Sequence, residues 1–156
     1  MTYEIRPAAT EDAGTIVQHR CAMFSDMGFR DAAGLRELDT AFGPWLQSQL
    51  AAGTYLGWFA VAPGGLIAAG LGLWLMDWPP GLHTSLPRRG NILNVYTRPE
   101  HRRRGLARRL MRTALDWCGE NHVQVVILHA SDDGRPLYES LGFRQTNEMR
   151  LMSSNH

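Results

Sequence analysis

Lysine is absent: all 16 basic residues of this 156-residue chain are arginine. That excludes a lysine general base and a Schiff-base mechanism. Cysteine is scarce, with Cys21 and Cys118 alone and no CxxC, and no local cluster of Cys, His and acidic residues stands at metal-ligand spacing. A reduced compartment, a cytoplasmic location and no bound metal are therefore expected. Charge is missing from Ala51 to Met76, a run long enough to span a bilayer. Pro63-Gly64-Gly65 breaks that run near its middle, and a β-hairpin explains it better than a membrane span. Residues 1–7 include Glu4 and Arg6 and no apolar block, so no secretory signal is read there and the mature chain is expected to start at Met1.

What is present is ordinary for a globular protein. Hydrophobic residues make up 44% and charged residues 20%, too apolar for general disorder. The length predicts a single domain over 1–156 that buries one core without staples. The net charge of +1 hides an asymmetry, because seven of the arginines lie between Arg98 and Arg112. Elsewhere nine arginines face fourteen acids, a net of −5. A cationic patch on a mildly acidic body points to one anionic ligand more than to general polyanion affinity.

Along the chain, Thr2 to Arg6 alternates and stops at Pro7, as a first strand should. Thr10 with Glu11 and Asp12 reads as an N-cap and acidic first turn for a helix carrying Ile16, Val17, Arg20, Cys21 and Phe24 and ending at Gly28. A second helix is predicted from Ala33 to Leu50, bent or split at Pro44, and closed by Gly53. Tyr55–Ala62 and Leu66–Met76 read as an antiparallel strand pair, the second softened by Gly70 and Gly72. Asp77 to Gly90, rich in proline, is a long connection and a candidate wall of a ligand pocket. Next come a strand over Asn91–Thr97, a helix over Gly105–Cys118, and an apolar strand over Val123–Leu128 parallel to the previous one. A short helix over Asp133–Leu141 and a last strand over Phe143–Met152 complete the order βααβββαβαβ. The predicted fold class is α/β, a mixed and mostly antiparallel sheet with helices on both faces and two splayed parallel central strands.

Chemistry concentrates after the Asn91–Thr97 strand, in Arg102-Arg103-Arg104-Gly105-Leu106-Ala107. A small-residue turn opening a helix leaves backbone N–H groups without intrahelical partners at the positive end of the helix dipole, which is an anion site. Gly105 and Ala107 admit close approach, and the flanking arginines add charge. A solvated basic helix start has the same composition. A nucleic-acid surface is a further reading, although no aromatic platform or DNA-binding motif accompanies the cluster.

The run from Asn94 to Leu110 resembles the acetyl-coenzyme A signature of the GNAT superfamily of N-acetyltransferases, whose core is Gln/Arg-x-x-Gly-x-Gly/Ala. Leu137-Tyr138-Glu139-Ser140-Leu141-Gly142-Phe143 is similar to that family's Leu-Tyr-x-x-Leu-Gly-Phe segment, and the element order matches its fold over nearly the whole chain. The resemblance implies acetyl transfer from acetyl-coenzyme A to a primary amine by direct attack, with neither nucleic acid nor membrane as partner. Arg102, Arg103, Arg104, Gly105, Leu106, Ala107 and Arg108 would wrap the pyrophosphate, and the Val95-Tyr96-Thr97 strand would hold the pantetheine arm as an added strand. A main-chain N–H near Val95 would stabilise the oxyanion, and Tyr138 would protonate the departing thiolate. A phenol suits that task independently, since it keeps its proton at neutral pH.

Three departures from the family pattern matter. Ser131 stands where the family often has a cofactor-contacting Asn, and its hydroxyl offers one hydrogen bond in that place. Asn94 replaces a carboxylate base, which leaves His83, His129, Glu37, Asp77 and Glu148 as candidates with none assigned. Only thirteen residues follow Phe143, too few for the family's terminal hairpin. The Met23–Pro44 region, the proline-rich loop or a second subunit in a homodimer would then supply that wall. Phe24, Phe29, Trp45 and Trp78 suggest an apolar pocket. A non-catalytic acyl-coenzyme A binding module is the alternative function.

Overall fold

The computed structural model describes residues 2–153. Strand β1 (Glu4–Pro7) is joined to the first helix through a single 3-10 turn at Thr10–Asp12. Thr10 opens that turn instead of capping the helix. Asp12 organises the junction: its carboxylate accepts the Ala9 N–H at 2.7 Å and a two-pronged pair from Arg6 at 3.0 and 3.1 Å. That arginine holds the Asp12 carboxyl below the usual carboxylate range.

Helix α1 (Ala13–Asp26) packs on α2 (Ala32–Ala52), whose first turn is capped by Asp31 accepting the Ala33 N–H at 3.2 Å. Gly53, left-handed at φ +75°, ends α2. Pro44 does not split the helix, which runs unbroken through it. It stands on the exposed side, as does Thr40, whose carbonyl loses its donor to the ring, while the flanking Phe42 and Leu46 are buried and hold both halves to the core.

Strands β2 (Tyr55–Val61), β3 (Ile67–Asp77) and β4 (Arg88–Thr97) form an antiparallel meander with β1 on its outer side. Helix α3 (Leu106–Glu120) then crosses to β5 (Val126–Leu128), which runs parallel to β4, and α4 (Arg135–Ser140) follows. The sheet order is β1-β2-β3-β4-β5, the expected mixed sheet. Its two faces bury separate clusters. Leu106, Leu110, Met111, Ala114 and Cys118, spaced along one stripe of α3, pack with Leu71, Leu73 and Ile92 on one face. On the other, Ile16 of α1 and Phe42 and Leu46 of α2 cover Tyr55 and Phe59.

Three expectations change. The proline-rich connection is shorter than Asp77–Gly90, because β3 and β4 pair out to Asp77 and Arg88 and leave only residues 78–87 between them. Trp78 N–H to the Pro87 carbonyl at 3.0 Å and a Gly81–Thr84 bridge tighten what remains. Strand β5 has three residues, not the Val123–Leu128 span. The last strand over Phe143–Met152 is not formed: residues 143–153 have no regular secondary structure. A strand exists only when an edge pairs with it, and three residues of β5 offer too short a ladder to fix a partner within the same chain.

Candidate active site

The site begins with an irregularity in β4. Gly70 of β3 pairs with Tyr96 and Gly72 pairs with Leu93, so β4 carries one extra residue against β3 there. Asn94 absorbs it at φ +58°, the left-handed region that Asn tolerates better than most residues. The bulge reverses which residues face β5. Before it, the even-numbered Gly90 donates its N–H to the Val125 carbonyl of the β5 segment at 2.9 Å. After it, Arg98 N–H donates to Ala68 on the β3 side at 2.8 Å, so by alternation the odd-numbered Val95 and Thr97 turn their backbone groups toward β5.

Pairing with β5 nevertheless stops at Ile92–Leu128, while β4 runs on to Thr97. The two parallel strands therefore part into a slot lined on one side by Val95 and Thr97. The Val95 side chain packs into the core on the α3 face. The Tyr96 ring lies on the opposite face, 5.3 Å from His19 of α1, and by the same alternation its backbone groups turn toward Gly70 of β3.

At the end of β4 a 3-10 turn, Pro99–His101, leads into the arginine loop. Arg103 at φ +63° and Gly105 at φ +73° curl the chain into α3. The first helical bond runs from Arg109 N–H to the Gly105 carbonyl at 3.1 Å, so the N–H groups of Leu106, Ala107 and Arg108 have no partner within the helix. The N-cap residue, Gly105, has no side chain to cap them. Leu106 is buried and anchors the turn, while Gly105, Arg103 and Arg104 are exposed.

Not every arginine is free for a ligand. Arg102 donates from Nε to the Thr97 carbonyl at 2.9 Å and pairs with Asp26 at 2.7 Å, tying the loop to the end of α1. Arg108 donates to the Ser140 hydroxyl of α4 at 3.0 Å, and Arg109 to the Tyr3 carbonyl at 3.2 Å. Among the described residues Arg103 and Arg104 have no such partner, and they carry the unspent charge of the loop.

Tyr138 is buried on α4 in the same cluster as Val95, Leu106 and Leu128, against the Phe143 ring at 6.2 Å. Gly134 makes room for it: a Cβ there would stand 2.8 Å from the Tyr138 ring. Burial pushes the phenol above its usual value, so it stays protonated at neutral pH. Its hydroxyl has no hydrogen-bond partner among the described residues. Ser131 is exposed and accepts the Gly134 N–H at 3.1 Å, shaping the turn before α4 and leaving its own proton free to donate.

The base candidates are scattered. His83 lies exposed in the 78–87 loop, Glu37 on the outer side of α2, Asp77 at the end of β3 and Glu148 in the tail. His129 accepts from Arg150 at 2.9 Å, which leaves one ring nitrogen open. The structure brings none of them together.

A different group stands at the bulge, one that sequence reasoning did not assemble. Asn94, 3% exposed, donates to the Tyr55 hydroxyl at 2.9 Å and accepts from Arg20 at 2.7 Å. The glycines of β3 make this possible. A Cβ on Gly72 would collide with the Tyr55 hydroxyl, and one on Gly70 would lie 2.8 Å from Nδ1 of His19. His19 is buried, and desolvation followed by the charge of Arg98 lowers its pKa to about 4. The only signal in the sequence was the Gly70/Gly72 pair inside a strand, a mark of close approach by another group.

An unpaired strand edge beside an uncapped helix start fits an extended, amide-bearing arm that ends in a pyrophosphate. Residues 22–143 match the model of the Acetyltransferase (GNAT) family. A GCN5-related N-acetyltransferase from Ralstonia eutropha has 37% identity and a TM-score of 0.92, over 99% of this chain and 100% of that one. A predicted acetyltransferase with acetyl-CoA from Clostridium acetobutylicum follows at 26% and 0.88, over 97% and 96%. An aminoglycoside 6'-N-acetyltransferase from Acinetobacter haemolyticus, at 20% and 0.69 over 98% and 99%, shares the fold. No curated protein matches the chain. By family model, identity and fold together, the chain belongs to the GNAT family and is an acyltransferase that uses acetyl-coenzyme A as co-substrate.

Proposed function

We propose that the protein transfers the acetyl group to a primary amine by direct attack within a ternary complex. Acetyl-coenzyme A, when bound, supplies an activated thioester carbonyl. Backbone N–H groups of residues 105–108, with Arg103 and Arg104, hold its pyrophosphate end. Val95 and Thr97 pair with the pantetheine arm along the open edge of β4, and the Val95 N–H faces the carbonyl oxygen where negative charge develops. Tyr138 holds the proton that the departing sulfur needs. The slot opened by the bulge carries this reading, because it presents backbone donors to a ligand that a regular sheet would have used internally.

Tyr138→Phe tests the acid. Its kcat with a responsive amine should fall about 100-fold or more, the lower range for one general acid, with coenzyme A affinity nearly unchanged. Full turnover by the variant would remove Tyr138 from the mechanism.

We also propose a homodimer. Met149 and Leu151 are 93% and 94% exposed in the unpaired tail, close to the free edge of β5, and a second copy offers the same edge and tail in return. Sedimentation at micromolar concentration should show a dimer, and truncation after Arg144 should return a monomer.

A further inference from the structure

The α1/α2 face of the sheet holds a cation with no counter-ion among the described residues. Arg20 leaves α1 toward the bulge, where its NH1 donates to Oδ1 of Asn94 at 2.7 Å. Its guanidinium lies 4.5 Å from the Phe42 ring centroid and 5.1 Å from that of Phe24. Its Nε is buried and has no hydrogen-bond partner among the described residues. The ion pairs of the described residues engage Arg6, Arg98 and Arg102, and Asp12 and Asp26, the acids at the two ends of α1, are spent on two of these. Burial lowers the Arg20 pKa, and the groups opposing that are the weak acids Tyr55 and Cys21, with no carboxylate among them.

A half-desolvated guanidinium held by one neutral amide and two aromatic faces lacks what normally compensates such burial, an anion with matching geometry. The place where that anion would sit is defined by Asn94. This residue immediately precedes Val95, whose N–H lines the slot at the reacting end. An acceptor that reaches both points carries its negative group within a few bonds of its amine. The surrounding surface is apolar and aromatic: Trp45 lies 5.6 Å from Phe42 and 5.3 Å from Trp74, ring centre to ring centre. Such walls take an apolar side group. A polyamine would find no free carboxylate in the Arg20 network and would meet its positive charge.

We infer that Arg20 anchors a carboxylate of the acceptor, and that the acceptor is a compact amino-carboxylate with an apolar side group, of the α-amino acid type. This rests on the acetyl-transfer reading for the identity of the slot. Arg20 is a specificity residue here and takes no part in the bond changes.

The test uses the full chain saturated with coenzyme A. Leucine, methionine, phenylalanine and tyrosine, each beside its own amide, and spermidine are titrated against tryptophan fluorescence, and thiol release from acetyl-coenzyme A is measured with the same compounds. At least one acid should bind and react about 10- to 100-fold better than its amide, the range for a charge-assisted hydrogen bond to a buried partner. Arg20→Gln should erase that preference through KM, and Arg20→Lys should restore part of it. A panel in which no acid outbinds its amide, or in which spermidine is preferred, overturns the inference without any variant. Equal loss for acid and amide in Arg20→Gln also overturns it, by marking Arg20 as a strut for Asn94. Failure of coenzyme A to bind, or of every amine to release thiol, would instead sink acetyl transfer, while the fluorescence titration still decides the role of Arg20.

Discussion

The two ends of the slot are built from different materials. At the α3 end the ligand meets backbone: N–H groups of a helix start, placed by Gly105 and the left-handed Arg103, with side chains adding charge. At the α1/α2 end it meets a side-chain network, Arg20, Asn94 and Tyr55, whose members are brought together from three elements across 74 and 39 residues of chain. The first kind of site tolerates sequence change as long as the backbone conformation survives. The second depends on particular atoms, on the glycines that admit them, and on their protonation states.

The largest expected effect that separates the two ends is a response to pH. Burial, with the charge of Arg98, lowers the pKa of His19 from its ordinary 6.5 to about 4 in the folded chain. Between those values the unfolded chain binds a proton that the native chain refuses, so stability rises with pH across that window and is lost as pH falls through it. The span corresponds to about 3 kcal/mol if the whole shift counts. Urea unfolding at pH 7 and pH 4.5 should show the loss, and His19→Gln should flatten it. An unchanged slope in that variant would place the acid sensitivity elsewhere.

Next in size is Gly105→Val. A β-branched residue at φ +73° costs about 1–2 kcal/mol in backbone strain, and its side chain stands where a phosphate must approach. Coenzyme A affinity by calorimetry should drop about tenfold or more, while any acid-over-amide preference of the acceptor persists at saturating cofactor. Loss of that preference would show the two ends to be one coupled unit. The smallest effect should come from Arg102→Ala. Its pair with Asp26 is close to half exposed on both sides, and such pairs contribute about 0–1 kcal/mol. A thermal shift of a few degrees at most is expected, and a large loss of cofactor affinity would mean that Arg102 reaches the pyrophosphate after all.

The same contrast explains what was legible in the sequence. Helix α3 announces itself through its stripe of Leu106, Leu110, Ala114 and Trp117 and its glycine start, because an uncapped helix N-terminus is a local property of a few consecutive residues. The meander is written in the uncharged run with its Pro-Gly-Gly break. Nothing local marks Asn94 as a left-handed residue, and nothing in the α1 stripe distinguishes Arg20 from a solvated arginine, since its meaning comes from contacts 74 residues away. The expected final strand failed for a related reason. A strand is expected after Phe143 from the element order, but pairing is decided by the length of the neighbouring edge, and β5 is too short to hold it.

The bulge at Asn94 has a mechanical consequence for how this protein could change. Deleting Asn94 would put β4 back in step with β3, and Val95 and Thr97 would then continue the regular alternation of Gly90 and Ile92 toward β5. The sheet could then zip toward β5, gaining hydrogen bonds worth about 1 kcal/mol each, and the coenzyme would have nowhere to dock. A fold that becomes firmer by losing a single amino acid keeps its activity only under continued selection for use, and the first inactive descendants of such a protein should be sought among its stable ones.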